Sequence, residues 1–181
     1  MLIEENFLVI WPLLVILAIA TYTDVKAHRI SNLLSFGGVI TGLVLHGWIL
    51  GLDGLFAGLG GALLGFAVLL PLYMLGGMAA GDVKLMAAVG AFLGPESTFN
   101  ALIFTLIAGM IMGIFMLILH GELAVWCKRY LSTAKYSVLT GQLNYVPPSP
   151  GDTATKRFPY AAAIATGTFV SIFGHSLISK I

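Results

Sequence analysis

The sequence predicts an all-α, polytopic membrane protein with six transmembrane helices and its N-terminus outside. Three observations carry that expectation: the composition, the lengths of the uncharged runs, and the placement of the basic residues. Of 181 residues, 59% are hydrophobic and 9% charged, against roughly 25% charged in an average soluble protein. So few charges cannot cover the surface of a soluble domain of this length, whereas lipid solvates such a surface well. The length suits one membrane domain spanning 1–181. A net charge of +1 gives no basic field to draw nucleic acid. Cys127 is the only cysteine, which excludes a disulfide framework and a cysteine zinc cluster and leaves a reduced thiol near the inner face.

The chain opens with Glu4 and Glu5 and then turns apolar. A secretory signal has the opposite order, positive charge first, so the first run reads as a retained span entered from outside. Residues 7–23 form that run, and Asp24, Lys26, His28 and Arg29 follow it at once. Residues 33–52 form the second and end at Asp53. The third run, 54–81, is too long for one span and contains Pro71, Gly76 and Gly77. Residues 99–119 and 158–179 complete the clear set. Each reaches or approaches the roughly 20 residues that cross hydrocarbon as a helix. A shorter stretch, 83–94, covers only some 18 Å at about 1.5 Å per residue; extended back through Asp82 it nearly spans, and it is taken as the fourth of six.

The charges test this count. With six spans and the N-terminus outside, eight of the nine basic residues lie inside: Lys26, Arg29, Lys84, Lys128, Arg129, Lys135, Lys156 and Arg157. Only Lys180 among the basic residues lies outside, with Glu4, Glu5, Asp53 and Glu96, so the positive-inside rule is satisfied about as well as it can be. Leaving the fourth stretch uninserted would place Lys128, Arg129 and Lys135 on the wrong side. Gly54, Gly58, Gly61 and Gly65 recur on one face of the third span, the small-residue pattern that lets membrane helices approach closely. Met74, Met78 and Met86 read as packing. In the cytoplasmic loop, about 120–157, residues 122–136 suggest a short helix lying on the membrane surface. Residues 143–156, with Pro147, Pro148 and Pro150, read as a connector or a flexible flap facing substrate.

Asp24 closes the first span and Asp82 opens the fourth, both at the inner face and both within Asp-Val-Lys. An acid inside the bilayer costs roughly 2.5–3.5 kcal/mol on insertion scales, less near an interface. Either acid alone can simply cap a helix or be solvated. Two at one depth suggest a dyad, because carboxyl groups a few ångströms apart share a proton. The ionised member can take a proton from water while the protonated one polarises a scissile carbonyl. Gly81 would let a substrate backbone approach beside Asp82.

These residues resemble a known family. The run Gly76-Gly77-Met78-Ala79-Ala80-Gly81-Asp82-Val83-Lys84-Leu85 is similar to the GxGD segment of type IV prepilin peptidases. Asp24-Val25-Lys26-Ala27-His28-Arg29-Ile30-Ser31-Asn32 is similar to that family's first-aspartate segment. Arg157-Phe158-Pro159-Tyr160-Ala161-Ala162-Ala163-Ile164-Ala165 resembles its entry to the last span. The resemblance implies an aspartic endopeptidase of the bacterial inner (plasma) membrane that removes leaders from prepilin or pseudopilin precursors at the cytoplasmic face. It carries the catalytic roles onto Asp24 and Asp82, and the small size is similar to the subclass serving Flp (tight-adherence) pili. Ala79 stands in place of the first glycine of GxGD, and Ser31 where proline is common; neither departure removes an acid. Nothing matches the paired-cysteine segment of the larger, methylating members, so neither methyl transfer nor an S-adenosylmethionine site is expected. No other cofactor is implied.

Lys26 and Lys84 each lie two positions past an aspartate and point away from it on a helix, serving topology or headgroups. His28 either meets Asp24 in a continued helix or is solvated. His46 and His175 lie towards the outer side and His120 at an inner end, without metal-ligand spacing. Asp152 reads as solvated and Glu96 as preceding the fifth span. Prepilin leaders are basic and so is this inner face, so recognition would be local to the acids or through anionic lipid. Two other readings compete: a proton-coupled transporter using Asp24 and Asp82 as a relay, and an intramembrane peptidase of presenilin type, whose acids would lie deeper in longer spans.

Overall fold

The computed structural model describes residues 7–121, 128 and 159–178, and every regular element among them is a helix. These are α1 (Phe7–Ala27), α2 (Asn32–Met74), α3 (Ala80–Leu119) and α4 (Tyr160–Ile178). The first three are long and apolar enough to cross a membrane, and α4 contributes a shorter apolar stretch. The chain divides into two compact units, one of Met1–Gly109 with Pro159–Ile181 and one of Met110–Phe158. In the second unit the end of α3 closes in a turn at Gly121 (φ 69°). The acidic start 1–6, the expected surface helix 122–136, the loop 143–156 and the His175 side chain lie outside the described residues.

Neither α2 nor α3 is continuous. At about 1.5 Å per residue, the 43 residues of α2 would make a rod of roughly 65 Å, twice the hydrocarbon thickness. Gly51 breaks it at φ 66°, ψ −143°, and Gly94 breaks α3 at φ 74°, ψ 175°. Both conformations lie in regions that residues with a Cβ avoid. Six helical segments result: 7–27, 32–50, 52–74, 80–93, 95–119 and 160–178. Pro95 opens the fifth, a position where its missing N–H costs nothing. The boundary expected at Asp53 falls at Gly51 instead, because Gly51 can take the positive φ while Asp53 continues into helix. The 52–74 segment ends in a Schellman motif: Gly77 N–H donates to Leu72 O at 2.8 Å and Gly76 N–H to Tyr73 O at 2.9 Å, with Gly76 left-handed at φ 77°. That stop frees the chain to begin α3.

Three segments meet backbone to backbone. Segment 52–74 folds back on 32–50, with Gly54 against His46 and Gly58 against Leu43. It runs antiparallel to 80–93, with Gly61 against Gly90 and Gly65 against Met86. Segment 32–50 lies along 80–93 through Gly38 at Ala88 and Gly42 at Ala91. The glycine face expected at Gly54, Gly58, Gly61 and Gly65 is therefore a packing face, and all four are buried. Lipid is as apolar as leucine, so such association depends on close van der Waals contact. Met86 is buried in this core and Met78 packs on its edge, whereas Met74 is exposed.

His46, read from sequence only as an outer-side histidine, is buried between the two glycine breaks. Its Nε2 lies 2.7 Å from Phe92 O and its Nδ1 3.2 Å from Gly54 O. The ring therefore lies between segments 52–74 and 80–93 with a main-chain carbonyl at each nitrogen, and the neutral imidazole, with one N–H, donates to one of the two. Replacing His46 by Ala is expected to cost about 3 kcal/mol, from the cavity and the carbonyls left behind. Thermal unfolding in detergent measures it, and an unchanged midpoint would remove the bridge from the account.

Helix α1 buries Val9, Ile10, Leu13, Leu17, Ala20 and Asp24 and packs on α2 and α4. The helical stripe that buries its apolar residues thus ends on an acid. The opposite face, with Trp11, Val15, Ile19 and Tyr22, is exposed and suits lipid.

Candidate active site

Both aspartates are buried in the first compact unit, Asp24 with 6% and Asp82 with 3% of its surface exposed. Asp24 sits in the last turn of α1. His28 ends that helix: it is left-handed at φ 49°, and its N–H donates to Asp24 O at 2.8 Å. This is the single-bond C-terminal stop, and histidine is one of the side chains that tolerates it. The His28 side chain is exposed, so the helix does not continue to bring it onto Asp24. Asp24 Oδ2 instead accepts the Ala161 N–H at 3.1 Å, in the first turn of α4. One turn earlier, Thr21 Oγ1 donates to Ala161 O at 3.4 Å. The main chain of Ala161 is thus clasped on both sides by α1.

Asp82 sits in the first turn of α3, where its Oδ2 accepts the Ala79 N–H at 3.0 Å. A side chain reaching back to the start of its own helix satisfies a donor the helix leaves open. Capping, considered from sequence as an alternative to chemistry, is therefore present together with burial. Ala79, at the place of the first glycine of GxGD, carries no strain, since His28 is the one non-glycine at positive φ among the described residues. Ser31 has φ −64°, the value a proline ring enforces, so its substitution for proline leaves the backbone path unchanged.

The α1–α2 connector brings the two acids to one end. Ile30 fills the space beside Gly81, where a Cβ would stand 3.1 Å from the Ile30 Cβ. Lys84 Nζ donates to Asn32 Oδ1 at 3.0 Å and lies 5.4 Å from the Phe36 ring centroid. Lys26 makes the matching local contact, 3.4 Å to the Tyr22 hydroxyl. These contacts of Ile30 and Asn32 tie the connector that follows Asp24 to the start of α3, where Asp82 sits. The side of Gly81 seen here is used for packing against Ile30. No group of three or more His, Cys, Asp or Glu among the described residues could hold a metal ion.

A multi-pass helical membrane protein with two buried carboxyl groups, at helix ends that one connector ties together, is the class these observations define. The family model of type IV leader peptidases matches residues 11–118, most of the chain, and the chain belongs to that family. The matched stretch contains both aspartates. No curated protein and no solved structure matches the chain. Tyr160, Ala161 and Thr21 are the site neighbours that residue type and spacing did not single out. Two of the Ala161 contacts are to main chain, which leaves no mark on side-chain identity.

Proposed function

We propose that the protein is an aspartic endopeptidase that removes the leader of a prepilin or pseudopilin precursor, with Asp24 and Asp82 as its catalytic carboxyl groups. The observation that carries this reading is the burial of Asp24 and Asp82, on helix ends tied together by the α1–α2 connector, in a chain of the leader peptidase family. In the reaction the ionised carboxyl takes a proton from water, whose oxygen attacks the scissile carbonyl. The protonated carboxyl donates to the carbonyl oxygen. Collapse of the tetrahedral species breaks the C–N bond, the proton passes to the leaving amine, and the leader departs with a new carboxylate. Burial favours a shared proton, because two charges in a poorly solvated site are costly.

In this reading all six helical segments cross the bilayer, the N-terminus is outside, and residues 1–181 form one transmembrane peptidase domain. The distribution of basic residues and the glycine breaks at Gly51 and Gly94 support that topology. Asp24 and Asp82 then face the cytoplasm across a bacterial inner membrane. A substrate of the Flp pilus class, and peptidase activity without methyl transfer, complete the proposal. The test is incubation of the purified protein with a prepilin-like precursor in detergent, with Asp24→Asn and Asp82→Asn as controls. Shortened precursor with the wild type alone is expected. Intact precursor with the wild type, together with proton-linked flux lost in both Asn variants, would favour the transporter.

A further inference from the structure

The start of α4 is where a third group enters the site. Its second residue, Ala161, is the one whose N–H holds Asp24 Oδ2. Its first residue, Tyr160, is half-buried and packs against the hydrophobic core. The Tyr160 ring lies directly on Gly109 of segment 95–119: a Cβ there would stand 2.7 Å from both Cε2 and the hydroxyl oxygen, and 2.8 Å from Cζ. Any side chain at position 109 would therefore push aside the hydroxyl end of Tyr160. That hydroxyl is within electrostatic reach of Asp82. One residue thus touches the seat on segment 95–119 and adjoins the clasp on Asp24.

We propose that Tyr160 is a positioning residue of the active site, its ring seated on Gly109 so that the start of α4 and the tyrosine hydroxyl hold the aspartate pair in register. The idea rests on the peptidase reading above. Gly109 is then the floor that the hydroxyl needs, and its lack of a side chain is a requirement of catalysis. A ring alone would fill the space. In this proposal the hydroxyl, seated on Gly109, is the part that serves the acids, and this separates the role from plain packing.

The experiment measures kcat and KM for a prepilin-like precursor, with thermal unfolding in detergent, for Tyr160→Phe, Gly109→Ala and the double variant. Tyr160→Phe keeps the ring on Gly109, so an unchanged unfolding midpoint is expected. Its kcat should fall about 10–100-fold while KM stays within about twofold, the pattern of a misplaced catalytic group. Gly109→Ala displaces the same hydroxyl, so it should lower kcat similarly, and the double variant should be no slower than the slower single one. A Tyr160→Phe enzyme with wild-type kcat would overturn the proposal, as would a rise in KM alone or additive losses in the double variant. If Tyr160→Phe fails to fold, Gly109→Ala decides on the same kcat criterion. Asp24→Asn and Asp82→Asn run alongside: if they still cleave, the peptidase reading itself fails, whereas inactive Asn variants beside a fully active Tyr160→Phe overturn only the role of Tyr160.

Discussion

Asp82→Asn is expected to give a folded, inserted protein whose cleavage of a prepilin-like precursor is at least about 10³-fold slower, within the range that acid–base groups contribute. Asn keeps the size of the side chain and an oxygen that can accept the Ala79 N–H bonded to Asp82 at 3.0 Å. The helix start should therefore survive, and unfolding should stay near that of the wild type. What Asn cannot do is hold or release the shared proton. Asp24→Asn should behave in the same way, since its amide oxygen can still accept from Ala161. Two such losses do not add when the groups act as a unit, so the double variant should be no slower than either single one. Measuring cleavage and unfolding on the same preparations separates lost chemistry from lost structure, and full activity in either Asn variant would remove that residue from the mechanism.

The second large effect concerns Gly61 and Gly90. A Cβ on Gly61 would overlap the Gly90 carbonyl, and one on Gly90 would overlap that of Gly61. The obstacle on both sides is backbone, which cannot rotate away as a side-chain tip can. Gly61→Ala or Gly90→Ala must therefore drive segments 52–74 and 80–93 apart. Overpacking usually costs about 1–3 kcal/mol, and with rigid backbone on both sides a loss of about 3 kcal/mol or more is expected here. Because Asp82 opens the displaced segment, cleavage should fall as well, by about 10²-fold for a shift near 1 Å. Gly37 and Gly47 are the internal controls. Nothing lies within 4 Å of a Cβ at either, so alanine there should be neutral or gain about 0.5–1 kcal/mol from helix propensity. Equal unfolding midpoints for Gly61→Ala and Gly37→Ala would contradict the close-approach account.

Much of this architecture was legible because glycine, proline and charge leave local marks. The run 54–81 was too long for one span, and Gly76-Gly77 is where its helix stops. The stretch 83–94 likewise ends at the second break, and the glycine stripe marks the packing face. The turn after residue 50 was misplaced by two positions because a charged residue, Asp53, drew the boundary away from the residue whose φ the turn needs. What the sequence hid are contacts to main-chain atoms distant along the chain. His46 meets Phe92 O and Gly54 O, and Asp24 meets Ala161 N; no pairing of side-chain types announces either. The neighbour of Gly81, Ile30, was equally hidden, since no pairing of side-chain types marks it. The burial of the two aspartates was foreshadowed by their place at helix ends in the same tripeptide, while the contact of Tyr160 was not, because its seat is a glycine rather than a polar partner.

The central claim is that folding carries the side chains of Asp24 and Asp82 to one place. Cross-linking tests it most directly, using Asp24→Cys with Asp82→Cys in a Cys127→Ser background, in membranes, with oxidant and with the shortest bis-maleimide linker. Efficient intramolecular linkage, absent from each single cysteine variant and reduced by Gly61→Ala, is the predicted result. Two free thiols that label separately yet never link would contradict it.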